Sequence, residues 1–453
     1  MAGDTVRGAA TIPRWFTDGT GERYQSYSYS YPHKTSYRTF ETPVALSELW
    51  KNEKRDALFL YLHIPFCEMR CGFCNLFTTP NPEISFEQEY LDALERQCVQ
   101  TAQSVGDANF ARMAIGGGTP TYLNAPDLER LFDMVQRSFL TNPVEAPCSV
   151  ETSPYTSDAD KLRVLKDRGV ERVSIGIQSF IESEVRAVGR TQDSRVVRQA
   201  LERLKQLDFD ILNIDLMYGL PGQTSATWAL TLAETVKYHP EQIYLYPLYI
   251  RPLTGLGRKN SNPEHSDIRI ELYRQAREFL LENGYIQSSM RMFERGGQSI
   301  IARPVYCCQD DGMIGVGCGA RSYTTTHHYS MKYAVGHKPV REILHEYVNV
   351  SEESFASADY GFILDEPEQK RRFLIQSLLQ LEGMDKVDYE RRFNSDVLND
   401  FGDELSDLLN LGLIQRKGNR IQLTESGLEW SDRIGFELYS KQVKEQMAEY
   451  EGD

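Results

Sequence analysis

The chain has 453 residues, of which 41% are hydrophobic and 25% are charged, and its formal net charge at pH 7 is −15. This length and composition are typical of a globular protein of about two or three domains. An acidic chain without a basic patch is repelled by phosphate backbones, so we do not expect a nucleic-acid partner. There is no apolar run long enough to span a membrane and no signal sequence at the start, which predicts a cytoplasmic protein without a membrane partner.

Residues 1–55 are predicted to form a polar, tyrosine-rich N-terminal arm. Two interpretations of this arm are open. In the simpler one, the arm lies across the main domain with its aromatic rings half buried. In the other, it is a lid over a substrate pocket. The tyrosines concerned are Tyr24, Tyr27, Tyr29, Tyr31 and Tyr37.

From Leu58 onwards, apolar strands alternate with amphipathic helices. The helix "FEQEYLDALERQC" has Cys98 on its apolar face, and "DSRVVRQALERLKQL" begins after Asp193 or Ser194 as its N-cap. Six strand–helix units in series predict an α/β fold with a parallel sheet or part-barrel over residues 56–330, which binds ligands at the carboxyl ends of its strands. The strands are "LFLYLHI", "FARMAIGGG", "CSVETSP", "VERVSIGIQSF", "FDILNIDLMYG" and "QIYLYPLYI".

Residues 331–453 are predicted to form a separate, mainly helical domain. "DEPEQKRRFLIQSLLQLEGMD" is an amphipathic segment with Leu374, Leu378 and Leu381 in register. A helix, a hairpin that turns at residues 417–419 and a second helix follow it. The pattern indicates a winged-helix-like module whose expected role is packing against the barrel.

Three of the eight cysteines, Cys67, Cys71 and Cys74, have the spacing C-x3-C-x2-C. A reducing compartment argues against disulfides, and a closed zinc site normally has four ligands. His63 is nearby, but it falls in a predicted strand, where a packed or hydrogen-bonded role is simpler. An iron–sulfur cluster fits better, because three thiolates on a 4Fe–4S cube leave one iron open to a substrate amine and carboxylate.

The string "YLHIPFCEMRCGFC" resembles the signature of radical S-adenosylmethionine (SAM) enzymes, in particular the oxygen-independent coproporphyrinogen III oxidase branch. That branch includes heme-chaperone-like proteins and a class of C-methyltransferases and cyclopropanases. The resemblance implies a radical SAM partial (β/α)6 barrel with an N-terminal arm and a C-terminal helical, winged-helix-like domain. It also implies a 4Fe–4S cluster on the three cysteines, two SAM molecules, and a reductant such as flavodoxin or ferredoxin. One electron from the cluster would cleave SAM to a 5′-deoxyadenosyl radical, which abstracts a hydrogen atom.

Glycines and polar residues follow the ends of successive predicted strands, where a parallel sheet binds ligands. The segment "GMIGVGCGARSYT" resembles a late glycine-rich segment of the same family and places Ala320 and Arg321 near the adenine or a second SAM. Gln178 and Arg190 are the candidate catalytic residues. The resemblance implies SAM contacts from Tyr61, Phe73, Gly117, Gly118, Thr119, Glu151, Gln178, Arg190 and Asp215.

The sequence departs from the oxidase pattern in two regions. Leu76 stands where the oxidase has a further cysteine, and Cys307 stands where related proteins tend to carry tryptophan. Cys308, His327 and His328 lie close to the second departure. We expect these cysteines and histidines to form a packed, hydrogen-bonded loop, since adjacent pairs have poor geometry for one metal. A histidine acting as general base on a methylated intermediate is the functional alternative.

These departures favour one reaction over the others. In it, the methyl group of a second SAM donates the hydrogen atom, and the resulting radical C-methylates or cyclopropanates an sp2 carbon. The acceptor is a heteroaromatic, olefinic or porphyrin-like small molecule. Two alternatives are open, namely oxidative decarboxylation of the coproporphyrinogen III oxidase type and a non-catalytic heme chaperone.

Overall fold

The computed structural model describes residues 23–24, 27–259, 268–296 and 312–452. The chain forms two compact units that are interleaved along the sequence. The borders of these units differ from those predicted after residues 55 and 330, and the three-part division remains a prediction. The smaller unit comprises Met1–Pro32, Ser288–Met290 and Glu366–Val443, and the larger unit comprises His33–Gln287, Arg291–Asp365 and Lys444–Asp453.

Strands form a large sheet in the larger unit and a small sheet of three strands in the smaller unit. The strands of the described residues are β1 (Arg38–Ala45), β2 (Leu58–Ile64), β3 (Phe66–Cys67), β4 (Thr79–Pro80), β5 (Phe110–Gly117), β6 (Cys148–Thr152), β7 (Arg172–Gln178), β8 (Ile211–Tyr218), β9 (Gln242–Pro247), β10 (Tyr285–Gln287), β11 (Met292–Arg295), β12 (Met313–Val316), β13 (Arg321–Tyr323), β14 (His327–Ser330), β15 (Ser357–Ile363), β16 (Met384–Asp385), β17 (Ile414–Lys417) and β18 (Arg420–Leu423).

Thirteen of these strands form one sheet, in the order β1-β15-β14-β13-β12-β2-β5-β6-β7-β8-β9-β11-β10. The seven central strands, from β12 to β9 in that order, are parallel. Six of them coincide with the predicted strands, so the predicted α/β parallel-sheet fold is confirmed. The seventh, β12, lies in the segment that the sequence identified only as glycine-rich.

Helices connect the parallel strands and have the predicted apolar faces. Cys98 is fully buried in Ile84–Val105, which confirms it as a core thiol. The Asp193 side chain caps Ser194–Leu207 by accepting a hydrogen bond from the backbone N–H of Arg195. The α-helices are Leu46–Leu49, Ile84–Val105, Ala125–Phe139, Ala159–Asp167, Glu182–Ala187, Ser194–Leu207, Ser225–Val236, Arg269–Glu282, His337–Asn349, Glu366–Leu378, Lys386–Phe393, Val397–Asp400, Gly402–Asn410, Glu425–Glu429, Ser431–Glu437 and Lys441–Gly452.

Strands β2 and β8 are buried along almost their whole length, as parallel strands are when both faces of their sheet are covered. In β2, Tyr61 is the single residue that is not fully buried. In β8, Asp215 is the single exception. A half-buried carboxylate in a strand whose other residues are buried indicates a candidate site at this part of the sheet. None of the described helices has the length and apolar character of a membrane span.

The smaller unit contains the predicted helix, hairpin and second helix. Strands β17 and β18 pair with Lys417 opposite Arg420, so the turn has the two residues Gly418 and Asn419, and Gly418 has φ +58°. That conformation favours glycine at the first position of a tight hairpin turn. The predicted register of Leu381 is wrong, because the helix ends at Leu378 and the Leu381 side chain is exposed.

Four of the five tyrosines of the arm are buried more deeply than the half-buried rings that the sequence predicts, and Tyr27 is half buried. Tyr24 and Tyr31 are each 2% exposed. The Tyr29 hydroxyl donates to the carbonyl oxygen of Leu379 at 3.2 Å, and the Tyr31 hydroxyl donates to the carboxylate of Glu368. Since a buried phenol needs such a partner, these bonds explain how polar residues of the arm enter the interior of the smaller unit.

Candidate cluster and cofactor site

The three cysteines lie on a loop that leaves the carboxyl end of β2 and is closed by a short parallel ribbon. Strand β3 pairs with β4, so that Cys67 lies opposite Pro80. The backbone N–H of Asn81 donates to the carbonyl oxygen of Cys67 at 2.9 Å, and that of Cys74 donates to Cys71 at 3.0 Å. We call residues 67–74 the cysteine loop. Its two ends and its inner turn are therefore fixed by backbone hydrogen bonds.

Neighbouring strand ends hold the middle of the cysteine loop. The N–H of Gly72 donates to the carbonyl oxygen of Val188 at 2.7 Å, and the carbonyl oxygen of Gly72 accepts from Leu256 at 2.8 Å. The Phe73 ring packs against an apolar cluster that includes Val188 and Leu256. The loop thus rests on segments that follow β7 and β9, which positions its thiols above the sheet.

Each thiol of the loop has a polar neighbour at its sulfur. Hydroxyl and guanidinium donors of this kind stabilise a thiolate and tune a cluster bound to it. The pairs are Thr119 Oγ1 to Cys67 Sγ at 3.6 Å, Arg190 Nη1 to Cys71 Sγ at 3.5 Å, and Cys74 Sγ with Thr78 Oγ1 at 3.8 Å.

The donor set fits an iron–sulfur cluster. Burial raises the pKa of the Cys67 and Cys71 thiols, so these groups need a cationic centre to ionise. Among the residues that the structure describes, no three Cys, His, Asp or Glu side chains are grouped to hold a single metal ion. A cluster places each thiolate on a different iron, and a spread of three thiols suits that arrangement.

The glycines at the end of β5 lie directly against the cysteine loop and β2. The N–H of Gly118 donates to the carbonyl oxygen of Ile64 at 2.7 Å, and a Cβ on Gly118 would lie 2.4 Å from the carbonyl oxygen of Phe66. Gly117 has φ +115°, and a Cβ there would lie 2.6 Å from the His63 ring. Both positions require glycine, because backbone and ring occupy the space of a side chain.

Two carboxylates lie on neighbouring parts of the sheet next to these glycines. Glu151 is exposed although β6 is central, so its side chain faces an open recess, and its Oε2 accepts from the N–H of Gly117 at 3.1 Å. Asp215 accepts from Asn213 at 2.8 Å and from Ser174 at 3.2 Å. The surrounding protein and, secondarily, the charge of Asp215 raise the pKa of Glu151 to about 7. Such a pair suits a ligand that carries an amino group.

We expect Glu151→Gln to change the pH dependence of stability of the cofactor-free protein. The folded-state pKa of Glu151 is about 7 against an ordinary 4.5, so the folded state keeps a proton that the unfolded state has lost. The free energy of unfolding therefore falls as the pH rises from 4.5 to 7, and the substitution removes that part of the fall. Urea unfolding across this range measures the slope. Glu89→Gln, at an exposed helix position, is the control, and an unchanged slope in Glu151→Gln would contradict the raised pKa.

The candidate catalytic residues Gln178 and Arg190 meet above Gly176. Gln178 ends β7 with φ +67°, a left-handed conformation that is rare for a residue with a side chain. Arg190 is 8% exposed, and its guanidinium donates to the carbonyl oxygen of Gly176 at 2.6 Å and to Gln192 at 2.8 Å. The third contact of Arg190 is Cys71. Arg190 therefore connects the end of β7 to the cysteine loop.

His63 is packed and hydrogen-bonded, as its place in a strand predicts. It is 4% exposed, its Nε2 lies 2.9 Å from the carbonyl oxygen of Phe77, and its Nδ1 lies 3.3 Å from the Tyr61 hydroxyl. Burial is the main cause that lowers the pKa of His63 to about 4, so the ring is neutral. A Cβ on Gly319 would lie 2.8 Å from this ring, which explains the late glycine.

The late glycine segment brings Ala320 and Arg321 to the same region of the larger unit. Ala320 is buried, its N–H donates to the carbonyl oxygen of Gly317 at 2.9 Å, and Arg321 begins β13. The positive charge of Arg321 is one of the causes that lower the pKa of His63. Lys34 also lies at the exit of the cysteine loop, where its Nζ donates to the carbonyl oxygen of Asn75 at 2.9 Å, and no motif or strand-end rule selects it from the sequence.

Two residues near the second departure from the oxidase pattern, Cys307 and Cys308, lie outside the described residues. His327 and His328 are on strand β14 instead of the predicted loop, because they pair with Ile363 and Phe362 of β15. His328 is buried against the Tyr323 ring at 4.2 Å, and His327 contacts Thr326 at 2.9 Å. The two histidines thus have packing and hydrogen-bonding contacts. Leu76, the first departure from the oxidase pattern, is 45% exposed.

Comparison with known proteins agrees with this site. Residues 61–234 match the radical SAM superfamily, and residues 364–430 match the HemN C-terminal domain. This chain therefore has the α/β radical SAM fold, with a 4Fe–4S cluster and S-adenosylmethionine as its cofactors. The order of these two domains is similar to that of the HemN-like proteins, and so are the relatives below.

Two groups of curated relatives align with most of the chain. The heme chaperone HemW of Bacillus subtilis is 28% identical over 81% of this chain and 95% of its own length. The oxygen-independent coproporphyrinogen III oxidase of Escherichia coli is 28% identical over 89% of this chain and 91% of its own. The solved structure of coproporphyrinogen III oxidase (HemN) from E. coli superposes with a TM-score of 0.79, with 26% identity, over 91% of this chain and 96% of that one. The predicted similarity to the methyltransferase branch is not supported, because the relatives and the solved structure described above are coproporphyrinogen III oxidases and heme chaperones.

Proposed function

We propose that this protein is a radical SAM oxidoreductase that acts on a carboxylated, porphyrin-like substrate. The reaction to test is the oxidative decarboxylation of coproporphyrinogen III. The observation that carries the proposal is the extended similarity to the E. coli oxidase structure, which covers 91% of this chain and 96% of that one. The convergence of the cysteine loop, the glycines and the paired carboxylates above one sheet supports it.

In such a reaction, each residue of the site has a separate role. A reduced 4Fe–4S cluster supplies the electron that cleaves SAM and so produces the radical that removes a hydrogen atom from the substrate. In our proposal the cysteine loop holds the cluster, and Glu151 binds the amino group of SAM at the edge of Gly117. Arg190, which contacts Cys71, fixes the position of the loop relative to Gln178.

Four further positions belong to this proposal. They would contact a second SAM or the substrate, on the side of the site bounded by β2, the cysteine loop and β13. Electron delivery would come from a small reductant such as flavodoxin or ferredoxin. The positions are Tyr61, Phe73, Ala320 and Arg321.

The test is a turnover assay with the anaerobically reconstituted, reduced protein, methyl-deuterated SAM, coproporphyrinogen III and an electron acceptor. We expect unlabelled 5′-deoxyadenosine, carbon dioxide and a product with vinyl groups in place of propionates. Two SAM molecules are consumed for two decarboxylations. Deuterium in 5′-deoxyadenosine would contradict the proposal, because the hydrogen atom would then come from a SAM methyl group. The control is the same assay without coproporphyrinogen III.

A heme chaperone is the second candidate function. The observation that favours it is Leu76, an exposed residue at the position where the oxidase has a further cysteine. The alignment with HemW over 95% of that relative's length is consistent with it. This candidate predicts stable binding of heme without cleavage of SAM, whereas the oxidase proposal predicts 5′-deoxyadenosine in proportion to product.

A further inference from the structure

Gln192 lies behind the two candidate catalytic residues, and no strand-end pattern in the sequence selects it. It is 4% exposed and follows Arg190 by two residues, in the segment between the helices Glu182–Ala187 and Ser194–Leu207. Both polar atoms of its amide side chain have hydrogen-bond partners. Since a buried amide that is bonded at both its oxygen and its nitrogen has a single orientation, Gln192 is a rigid point next to the site.

The amide oxygen of Gln192 fixes the guanidinium of Arg190. Its Oε1 accepts from Arg190 Nε at 2.8 Å, while Arg190 Nη2 donates to the carbonyl oxygen of Gly176 at 2.6 Å. A guanidinium is planar and its N–H groups have fixed directions, so bonds at Nε and Nη2 set both its plane and its rotation. The remaining terminal nitrogen, Nη1, then lies 3.5 Å from Cys71 Sγ.

The amide nitrogen of Gln192 fixes the backbone on both sides of Gln178. Its Nε2 donates to the carbonyl oxygens of Ile177 at 3.0 Å and Ser179 at 3.1 Å. Gln178 lies between them with its left-handed φ of +67°, and such a conformation persists only where its surroundings hold it. The Gln178 side chain lies over Gly176, since a Cβ there would lie 2.9 Å from its Nε2. One buried amide thus holds both candidate catalytic residues in place.

The turn that carries the two carbonyl acceptors is held from the protein interior. The N–H of Ser179 donates to the carbonyl oxygen of Ile177 at 2.8 Å, and the Ser179 hydroxyl donates to Glu184 Oε2 at 2.6 Å. Gln223 Nε2 donates to the same carboxylate oxygen at 3.2 Å, and all three of these polar side chains are buried. Gln192 is therefore anchored to the interior of the larger unit and not to a surface loop.

We propose that Gln192 is a positioning residue, which aims Arg190 at Cys71 and so tunes the cluster and the SAM site beside it. The inference rests on the role proposed above for Arg190 and deepens it, and it is independent of the substrate. A donor at a ligand sulfur stabilises the reduced, more negative form of a cluster and raises its reduction potential. Without the bond to Gln192, the guanidinium is free to turn away from the sulfur, so the potential should fall.

The test compares Gln192→Met, Arg190→Met and the double variant with the unsubstituted protein. Methionine has nearly the volume of glutamine but neither its acceptor nor its donors, so the packing is retained. After anaerobic reconstitution to equal iron content, we expect each variant to have a lower midpoint potential of the cluster and about tenfold weaker SAM binding. The double variant should equal Arg190→Met in both measurements, because a residue that acts only through Arg190 adds nothing once the guanidinium is absent.

Gln287→Met is the matched control. Gln287 is 5% exposed on β10, the edge strand of the large sheet, and its Oε1 accepts from the Nε of another arginine, Arg277, at 2.8 Å. Its Nε2 donates to the Tyr273 hydroxyl at 2.8 Å. The control therefore loses the same kinds of buried hydrogen bond, but it should keep the midpoint potential and the SAM affinity of the unsubstituted protein.

Three results would count against the proposal, and they are distinguishable. If Arg190→Met lowers the potential while Gln192→Met behaves like Gln287→Met, the inference is overturned and the role of Arg190 stands. If the effects of the single variants add in the double variant, Gln192 acts independently of Arg190, and its positioning role is overturned. If Arg190→Met leaves both the potential and the SAM affinity unchanged, the proposed role of Arg190 fails, and the inference fails with it.

A second variant keeps the test decisive if Gln192→Met does not fold or take up iron. Gln192→Asn retains a polar amide in the buried segment, but it is one methylene too short to reach both Arg190 and the two carbonyl oxygens. We expect it to take up the cluster and to show the lowered potential of Arg190→Met. An iron-loaded Gln192→Asn with the potential of the unsubstituted protein would overturn the inference.

Discussion

Replacing Cys67, Cys71 and Cys74 together by alanine is expected to abolish binding of the iron–sulfur cluster and all cleavage of SAM. The three thiols are the only cysteines on the loop at the carboxyl end of β2, and each has a hydroxyl or guanidinium neighbour at its sulfur. Without thiolates nothing retains the irons, since metal binding depends on deprotonated sulfur ligands. Iron and sulfide analysis after anaerobic reconstitution, together with the electron paramagnetic resonance spectrum of the reduced protein, measures the loss.

The matched control for this prediction is Cys98→Ala. Cys98 is fully buried in the helix Ile84–Val105, outside the cysteine loop. Its removal leaves a small cavity and costs stability, about 1 kcal/mol for a lost sulfur-sized group, but leaves the cluster ligands intact. Normal iron content in the triple variant would contradict the assignment of the cluster, whatever the effect on catalysis.

Gly118→Ala is expected to displace the cysteine loop and to remove most of the cluster and SAM binding. The new Cβ would lie 2.4 Å from the carbonyl oxygen of Phe66, which is backbone and cannot rotate away. Phe66 is directly followed by Cys67, so the overlap is transmitted to the first cluster ligand. Overpacking of this kind costs about 1–3 kcal/mol. Iron content and the equilibrium affinity for SAM are the measurements.

Gly402→Ala is the control for the glycine prediction. A Cβ on Gly402 meets nothing within 4 Å, and the residue is the first of the helix Gly402–Asn410 in the smaller unit. Alanine there reduces the conformational freedom of the unfolded chain and should stabilise the protein by about 0.4–1 kcal/mol. If Gly118→Ala retained the iron content of Gly402→Ala, the close contact of β5 with the cysteine loop would not govern cluster binding.

Local pattern was sufficient to predict the general form of the larger unit. Buried parallel strands give continuous apolar runs, and six of the seven central strands were visible as such runs. The missing one, β12, has four residues, too few to show a period, and its place beside β2 depends on pairing with Phe59 to Leu62. The spacing of the cysteines was informative for the same reason, because a loop of this size places its ligands by local geometry alone.

Strand-end polar residues were predictable as a group, but their mutual arrangement was not. Glu151 and Asp215 lie on β6 and β8, and the electrostatic coupling that helps to raise the pKa of Glu151 arises only when the sheet forms between them. The left-handed backbone of Gln178 has no sequence signature, since glutamine does not favour that conformation. The depth of the arm tyrosines depends on acceptors such as Glu368, more than 300 residues away along the chain.

The sequence by itself determined the chemistry of this protein: three thiols at a fixed spacing, glycines after a strand and an α/β order of elements. These are short-range properties, because each depends on residues that are neighbours in the chain. Only the tertiary structure decided that Lys34 donates to the carbonyl oxygen of Asn75 beside the cysteine loop, and that most rings of the arm are buried. Such convergence depends on strand order and on long-range packing, and no local sequence pattern predicts a contact between Lys34 and Asn75, which are 41 positions apart.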